Sequence, residues 1–282
     1  MRLRSLLFVP GDRPERMAKA LGLGADALIL DLEDSVAPER KGEARRAVAE
    51  FLAAPREEDL PAVFVRVNPI DTDDAAADLA ALAGLSPDGI VLPKAEGAES
   101  VRHLLDRHAG DYRVLPVASE TPAAVFRLGT FAPVATRLAG VTWGAEDLPA
   151  AIGATTSREA DGSYTDPYKV VRALTLFGAH AAGVPAIETV YPDFRDLDGL
   201  SAYAARGRRD GFSGMMAIHP SQVPVINAAF SPSDAELEHA RRVVALFEAN
   251  PGVGALQLDG RMVDAPHLMA ARRLLGAESG AS

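Results

Sequence analysis

Two acidic residues stand directly after apolar, strand-like runs. Glu120 follows 114–118, and Asp147 follows 138–143. They lie about one strand-plus-helix repeat apart. In a parallel α/β barrel, consecutive strands point the same way and end on the face where ligands bind. Two carboxylates converging there form a ligand set for Mg²⁺, which takes one or two protein carboxylates and completes its octahedron with water and substrate oxygens. The same residues could instead cap the helices that follow, where negative charge is favourable. Sequence position alone leaves the two readings even. Arg66 ends a run in which Val63, Val65 and Val67 are apolar. A guanidinium there needs an anionic partner, because an unpaired buried charge is costly. Asp31 and Glu33 alternate along one strand, share a face, and could supply a structural ion pair.

The elements that must position these groups alternate along the chain. Apolar runs predict strands at Ser5–Pro10, 27–32, 62–67, 89–93, 113–118, 138–143, 185–190 and 214–219. Helical periodicity predicts helices at 14–23, 38–53, 74–85, 99–108, 122–131, 168–182, 197–208 and Gln222–Ala229. A polar loop covers 155–166. Eight strand–helix units favour a closed (β/α)8 TIM barrel over residues 1–229. The rival is an open doubly wound sheet with a single ligand crevice. Polar residues at many strand ends (Arg66, Lys94, Glu120, Asp147, Glu188 and His219) favour the barrel. Residues 230–282 read as a C-terminal helical and hairpin extension: a helix from Ser233 to about 249, a hairpin around Asp259-Gly260, a helix over 266–275 and a frayed end at 277–282.

Composition narrows the function classes. The chain has 282 residues, 48% hydrophobic and 24% charged, as for an ordinary globular protein. It has no cysteine, which excludes disulfides, a thiolate metal site and a cysteine nucleophile, and fits a cytoplasmic location. A net charge of −10 argues against a general nucleic-acid surface. No apolar stretch is long enough to span a membrane.

Seven short strings carry a family resemblance, in order: Leu7-Phe8-Val9-Pro10-Gly11-Asp12-Arg13, Leu30-Asp31-Leu32-Glu33-Asp34-Ser35-Val36, Val65-Arg66-Val67-Asn68, Leu92-Pro93-Lys94, Glu120-Thr121-Pro122, Gly144-Ala145-Glu146-Asp147-Leu148 and Ile218-His219-Pro220-Ser221-Gln222. With Gly260-Arg261-Met262-Val263-Asp264-Ala265-Pro266 in the tail, they cover nearly the whole chain. It resembles the citrate lyase β-subunit-like family of the aldolase/citrate lyase superfamily, which also holds malyl-CoA and citramalyl-CoA lyases. The resemblance implies a Mg²⁺-dependent barrel, often a homotrimer, whose C-terminal extension reaches a neighbouring subunit. It implies a lyase that cleaves a citryl-, malyl- or citramalyl-CoA-like 3-hydroxyacyl thioester. The products would be a 2-oxo acid such as oxaloacetate and acetyl-CoA or an acyl-carrier thioester. The other readings are an aldolase on free hydroxy-oxo acids and a non-catalytic subunit of a lyase complex.

The resemblance also assigns roles. Glu120 and Asp147 become the metal ligands. Arg66 becomes a catalytic and substrate-binding residue, and Asp31 and Glu33 orient it or metal-bound waters. Phe8, Arg13 and Lys19 match positions that contact the CoA part of a thioester. Here a solvated face for the two cations and a core place for Phe8 stand as the alternative. Asp264 matches a general base supplied by the adjacent subunit, or else caps the final helix. Lys94 is read as an ion-pairing residue and His219 as a hydrogen-bonded structural one. Where many members carry a lysine, this chain has Met215, a departure from the family pattern.

Overall fold

The sheet takes its pattern from β1 (Ser5–Pro10). Leu6 and Phe8 pack into one apolar cluster, while Leu7 and Val9 point the other way. β2 (Ala27–Asp31) pairs with it in parallel, and β3 (Ala62–Arg66) pairs in parallel with β2, all in phase, with Leu6 opposite Ala27 and Ile29 opposite Phe64. Side chains two apart share a face, so the inner cluster collects Leu6, Ala27, Ile29, Phe64, Val91, Leu115 and Ile187, while a larger cluster forms against the helices. Phe64 fills so much of this interior that Gly89 must be glycine, since any Cβ there would overlap the Phe64 ring.

The structure is a computed structural model and describes residues 1–57 and 59–279. The remaining sheet strands are β4 (Gly89–Leu92), β5 (Arg113–Pro116), β6 (Val141–Thr142), β7 (Ala186–Glu188) and β8 (Gly214–Ala217), in the order β5-β4-β3-β2-β1-β8-β7-β6. Parallel bridges Val114–Leu138 and Val117–Thr142 join the two outer strands and nearly close the barrel. Helices return the chain between strands: α1 (Pro14–Ala20), α2 (Lys41–Ala53), α3 (Asp73–Ala81), α4 (Ala98–Arg107), α5 (Pro122–Val125), α6 (Leu148–Ile152), α7 (Asp166–Ala181), α8 (Leu197–Asp210) and α9 (Gln222–Ala229).

The expected eight-unit α/β barrel is therefore the observed fold, with local corrections. The helix expected at 122–131 is one turn, α5, followed by 3-10 stretches at Leu128–Thr130 and Ala132–Arg137. Gly129 weakens a helix there, the Thr130 hydroxyl donates to the Arg127 carbonyl at 2.7 Å, and Pro133 lacks an N–H. The ladder of β6 is shorter than the expected 138–143. Short α6, directly after Asp147, adds a helix to those expected.

A second compact unit begins at Ser231. Ser233 and Glu236 form a capping box that starts α10 (Asp234–Glu248). β9 (Ala255–Leu258) and β10 (Arg261–Asp264) pair antiparallel around Asp259-Gly260, both at positive φ, the geometry of a tight hairpin turn. α11 (Ala265–Ser279) follows. Ala240, Val243, Phe247, Val263 and Ala271 form this unit's own core. Of the expected frayed end, 277–279 continue the helix, and 280–282 lie outside the described residues. Among the described residues, no helix is long and apolar enough to cross a membrane.

Candidate active site

The inward rows of the barrel turn polar at their C-terminal ends. Two residues beyond Ile29 stands Asp31, and two beyond Phe64 stands Arg66; the register sets them side by side. Beyond these ends lies a cavity of about 390 Å³, lined among others by Phe8, Asp31, Arg66, Glu120, Gly144 and Asp147. Five of the sequence-derived candidates thus share one cavity.

Arg66 is held on one edge by Asp31. Its Nε and Nη2 each donate to the Asp31 carboxylate at 2.7 Å, a bidentate pair. Asp31 also accepts the backbone N–H groups of Glu33 and Ser35. Burial alone would raise the Asp31 pKa, but the hydrogen bonds and charge of Arg66 outweigh it and hold that carboxyl below its ordinary value. Arg66 Nη1 lies 2.9 Å from Glu33 Oε2 and 3.4 Å from Asp34 Oδ2. Glu33 is pushed up, because its burial exceeds the help of Arg66 and Lys94. The guanidinium carbon sits 4.8 Å above the Phe8 ring, which fixes its plane.

Thr121 caps α5 through its hydroxyl. Glu120 does not cap a helix, and Asp147, although it occupies the N-cap position of α6, makes no capping hydrogen bond. Both are tied instead to Lys94. The Lys94 backbone N–H donates to Glu120 Oε2 at 2.6 Å, and Lys94 Nζ lies 3.3 Å from Asp147 Oδ1 and 3.2 Å from Glu33 Oε1. Lys94 takes φ 51°, one of two non-glycine residues at positive φ among the described residues. That conformation costs about 1–2 kcal/mol and is held here by the Glu120 contact. Gly144 leaves room for Glu120: a Cβ there would lie 2.9 Å from its Cγ and Oε1.

This donor set fits Mg²⁺. Burial, with the charges of Asp147 and Glu33, pushes the Glu120 carboxyl well above its ordinary range despite the Lys94 N–H. The carboxylate form is short of positive charge, which a bound cation supplies. Among the described residues, no group of three or more His, Cys, Asp or Glu converges as a metal cage. Two carboxylates with open positions suit a cation that keeps water and takes substrate oxygens.

The other candidates stand elsewhere. Arg13 is half-exposed and 3.7 Å from Asp12, and Lys19 lies exposed on α1; neither lines the cavity. Asp264 belongs to the second unit, where it directly precedes α11 and pairs with His267 Nδ1 at 2.5 Å. That hydrogen bond lowers the Asp264 pKa. His219 is hydrogen-bonded as expected, to Ser221, and stacks on Phe194 with ring centres 4.8 Å apart. Lys94 is ion-paired as expected, and Met215 is fully buried in β8.

Several motif residues prove to be scaffold. Lys41 Nζ donates to the carbonyls of Leu32 and Glu33 and to Asn68 Oδ1, and Asn68 bonds Asp78, so the loop after β2 is fixed from below. Gln222 accepts from the N–H groups of Ile218 and His219 and donates to the Tyr191 carbonyl, tying the loops after β7 and β8 together. Glu188 is fully buried, bound by Trp143 Nε1 at 2.6 Å and Arg172 Nε at 2.7 Å. This anchors the residue before Gly144. A carboxylate inside the apolar run of β7 is the sequence signal for such a pair, but its partner on α7 lies 16 residues away.

Comparison with known proteins shows the family to which this fold belongs. Residues 4–220 match the HpcH/HpaI aldolase/citrate lyase family. The chain is 40% identical over 269 residues to a citrate lyase subunit beta-like protein of Mycobacterium tuberculosis, covering 95% of this chain and 93% of that protein. It is 37% identical over 281 residues to a (3S)-malyl-CoA thioesterase of Cereibacter sphaeroides, covering 96% and 93%. Among solved structures, CitE of M. tuberculosis in complex with magnesium, acetoacetate and coenzyme A superposes with a TM-score of 0.82 at 38% identity, covering 98% of this chain and 97% of that one. The citrate lyase beta subunit of M. tuberculosis complexed with oxaloacetate and magnesium gives 0.72 at 39%, covering 82% and 98%.

Proposed function

The chain belongs to the HpcH/HpaI aldolase/citrate lyase family, and from that premise we propose that it is a Mg²⁺-dependent carbon–carbon lyase of 3-hydroxyacyl thioesters. The products are a 2-oxo acid and acetyl-CoA or its acyl-carrier equivalent. The observation that carries this reading is the pairing, in one cavity, of two metal-competent carboxylates with an arginine fixed on one edge by Asp31. Relatives bound to magnesium with oxaloacetate or with coenzyme A support it.

Glu120 and Asp147 hold the cation. A Mg²⁺ ion held by these two carboxylates would supply Lewis-acid polarisation of the substrate oxygen that becomes the keto group. Arg66 binds the carboxylate of the oxo-acid half, with Asp31 and Glu33 fixing its plane. Phe8 packs along the guanidinium, and Arg13 and Lys19 receive the phosphates of the thioester carrier. Asp264, supplied by the extension of a neighbouring subunit in a homotrimer, takes the hydroxyl proton. The O–H pair becomes the new carbonyl as the carbon–carbon bond breaks, and the bonding pair leaves on the acetyl thioester as its enolate. A proton returned to the enolate carbon gives the acetyl thioester. The hydrogen bond from His267 favours the carboxylate form of Asp264.

The thioesterase relative favours a second reaction at the same site, hydrolysis of the thioester after or instead of cleavage. Following oxo acid and free thiol release together, with citryl-, malyl- and citramalyl-CoA, separates them. Oxo acid without thiol marks a lyase, and stoichiometric thiol marks a thioesterase. In either case Asp147→Ala lowers turnover with Mg²⁺ by at least about 10²-fold, the scale of losing a key electrostatic partner of the transition state. Full turnover by that variant removes the metal role.

A further inference from the structure

Lys94 does more than neutralise charge. Its backbone donates to Glu120, while its side chain lies near both Asp147 and Glu33, so one residue reaches three of the acids. It does so at φ 51°, a conformation lysine does not adopt for local reasons. Its ammonium is only partly exposed and is ion-paired on two sides, with Glu33 and with Asp147. Around the site, four carboxyl groups, Asp31, Glu33, Glu120 and Asp147, stand against two cations, Arg66 and Lys94. Asp34 and Glu146 also line the cavity, but they are solvent-exposed and screened.

Resting on the reading of Glu120 and Asp147 as the metal pair, we infer that Lys94 is a built-in counter-cation that competes with the divalent ion for Asp147. A divalent ion ligated by Asp147 must share that carboxylate with an ammonium 3.3 Å away. Like charges at such range repel, so Lys94 weakens metal binding. The same positive charge favours the anionic oxo acid that binds next. Lys94 thus trades metal affinity for substrate affinity.

Opposite shifts in two affinities test this. Mn²⁺ serves as the metal probe and oxalate as the oxo-acid probe, both read by titration calorimetry and Mn²⁺ electron paramagnetic resonance. Lys94→Met is expected to bind Mn²⁺ about tenfold more tightly, and its Mn²⁺ complex to bind oxalate about tenfold more weakly. Lys94→Gly, free of backbone strain at this φ, is expected to show the same pair of shifts, and Lys94→Arg to restore both. If folded Met and Gly variants bind Mn²⁺ no more tightly than the native protein, or lose both affinities together, Lys94 is only structural and the inference is overturned. Glu120→Gln tests the underlying reading separately. It is expected to lose Mn²⁺; retained Mn²⁺ affinity refutes the metal pair whatever Lys94 does.

Discussion

At the scale of single residues, Asp31 is the support of the site. It accepts two hydrogen bonds from Arg66 and two from backbone N–H groups, and it is almost fully buried. Asp31→Asn leaves a buried guanidinium short of its main partner, and breaking such a pair costs roughly 3 kcal/mol. Urea unfolding is expected to show that loss at pH 7. The sign of the pH dependence follows from the lowered Asp31 pKa. Its contribution is complete above the ordinary carboxylate pKa of about 3.9 and is lost as pH falls through the lower folded value. Native protein therefore gains stability between those two values as pH rises, and the variant lacks that segment. An identical acid limb in both proteins would show that the pair contributes nothing. Asp31 and Arg66 were legible in the sequence because polar residues closing an alternating apolar strand must face the ligand side. The positive φ of Lys94 was not legible, since no local residue preference announces it.

At the scale of elements, the end of β6 does the positioning. Trp143 is anchored outward on Glu188 and Arg172, Gly144 gives Glu120 its space, and Asp147 follows at the start of α6. Gly144→Ala forces a Cβ to within 2.9 Å of the Glu120 side chain. Such overpacking costs about 1–3 kcal/mol, and displacement of Glu120 is the easier relief. We expect Mg²⁺ affinity to fall about tenfold or more while circular dichroism stays native. Native Mg²⁺ affinity in this variant would mean that Glu120 is not a ligand. The strand–helix alternation was readable because eight apolar runs recur at barrel spacing. The segment after Glu120 was misread because apolar periodicity continues through 122–131, while Gly129, Thr130 and Pro133 break the helix.

At the scale of the whole molecule, the proposed metal pair, Glu120 and Asp147, and the proposed base, Asp264, belong to different compact units. The Met262-Val263-Asp264-Ala265-Pro266 string marked Asp264, but which barrel it serves is not written in local sequence. If it acts on a neighbouring subunit, inactive Asp264→Ala and inactive Glu120→Gln chains complement each other. Co-refolded equal mixtures should recover a substantial fraction of native turnover, up to about a quarter, when one native site forms per several combinations. No recovery in stable mixed oligomers would place Asp264 in its own subunit's site or outside catalysis. The account stands most directly on where the cation sits. Anomalous scattering from crystals grown with Mn²⁺ and oxaloacetate should give a peak bonded to Glu120 and Asp147 at about 2.0–2.2 Å, with the oxo acid reaching Arg66. A peak elsewhere, or an oxo acid bound at the cavity with no metal beside those two carboxylates, would contradict it.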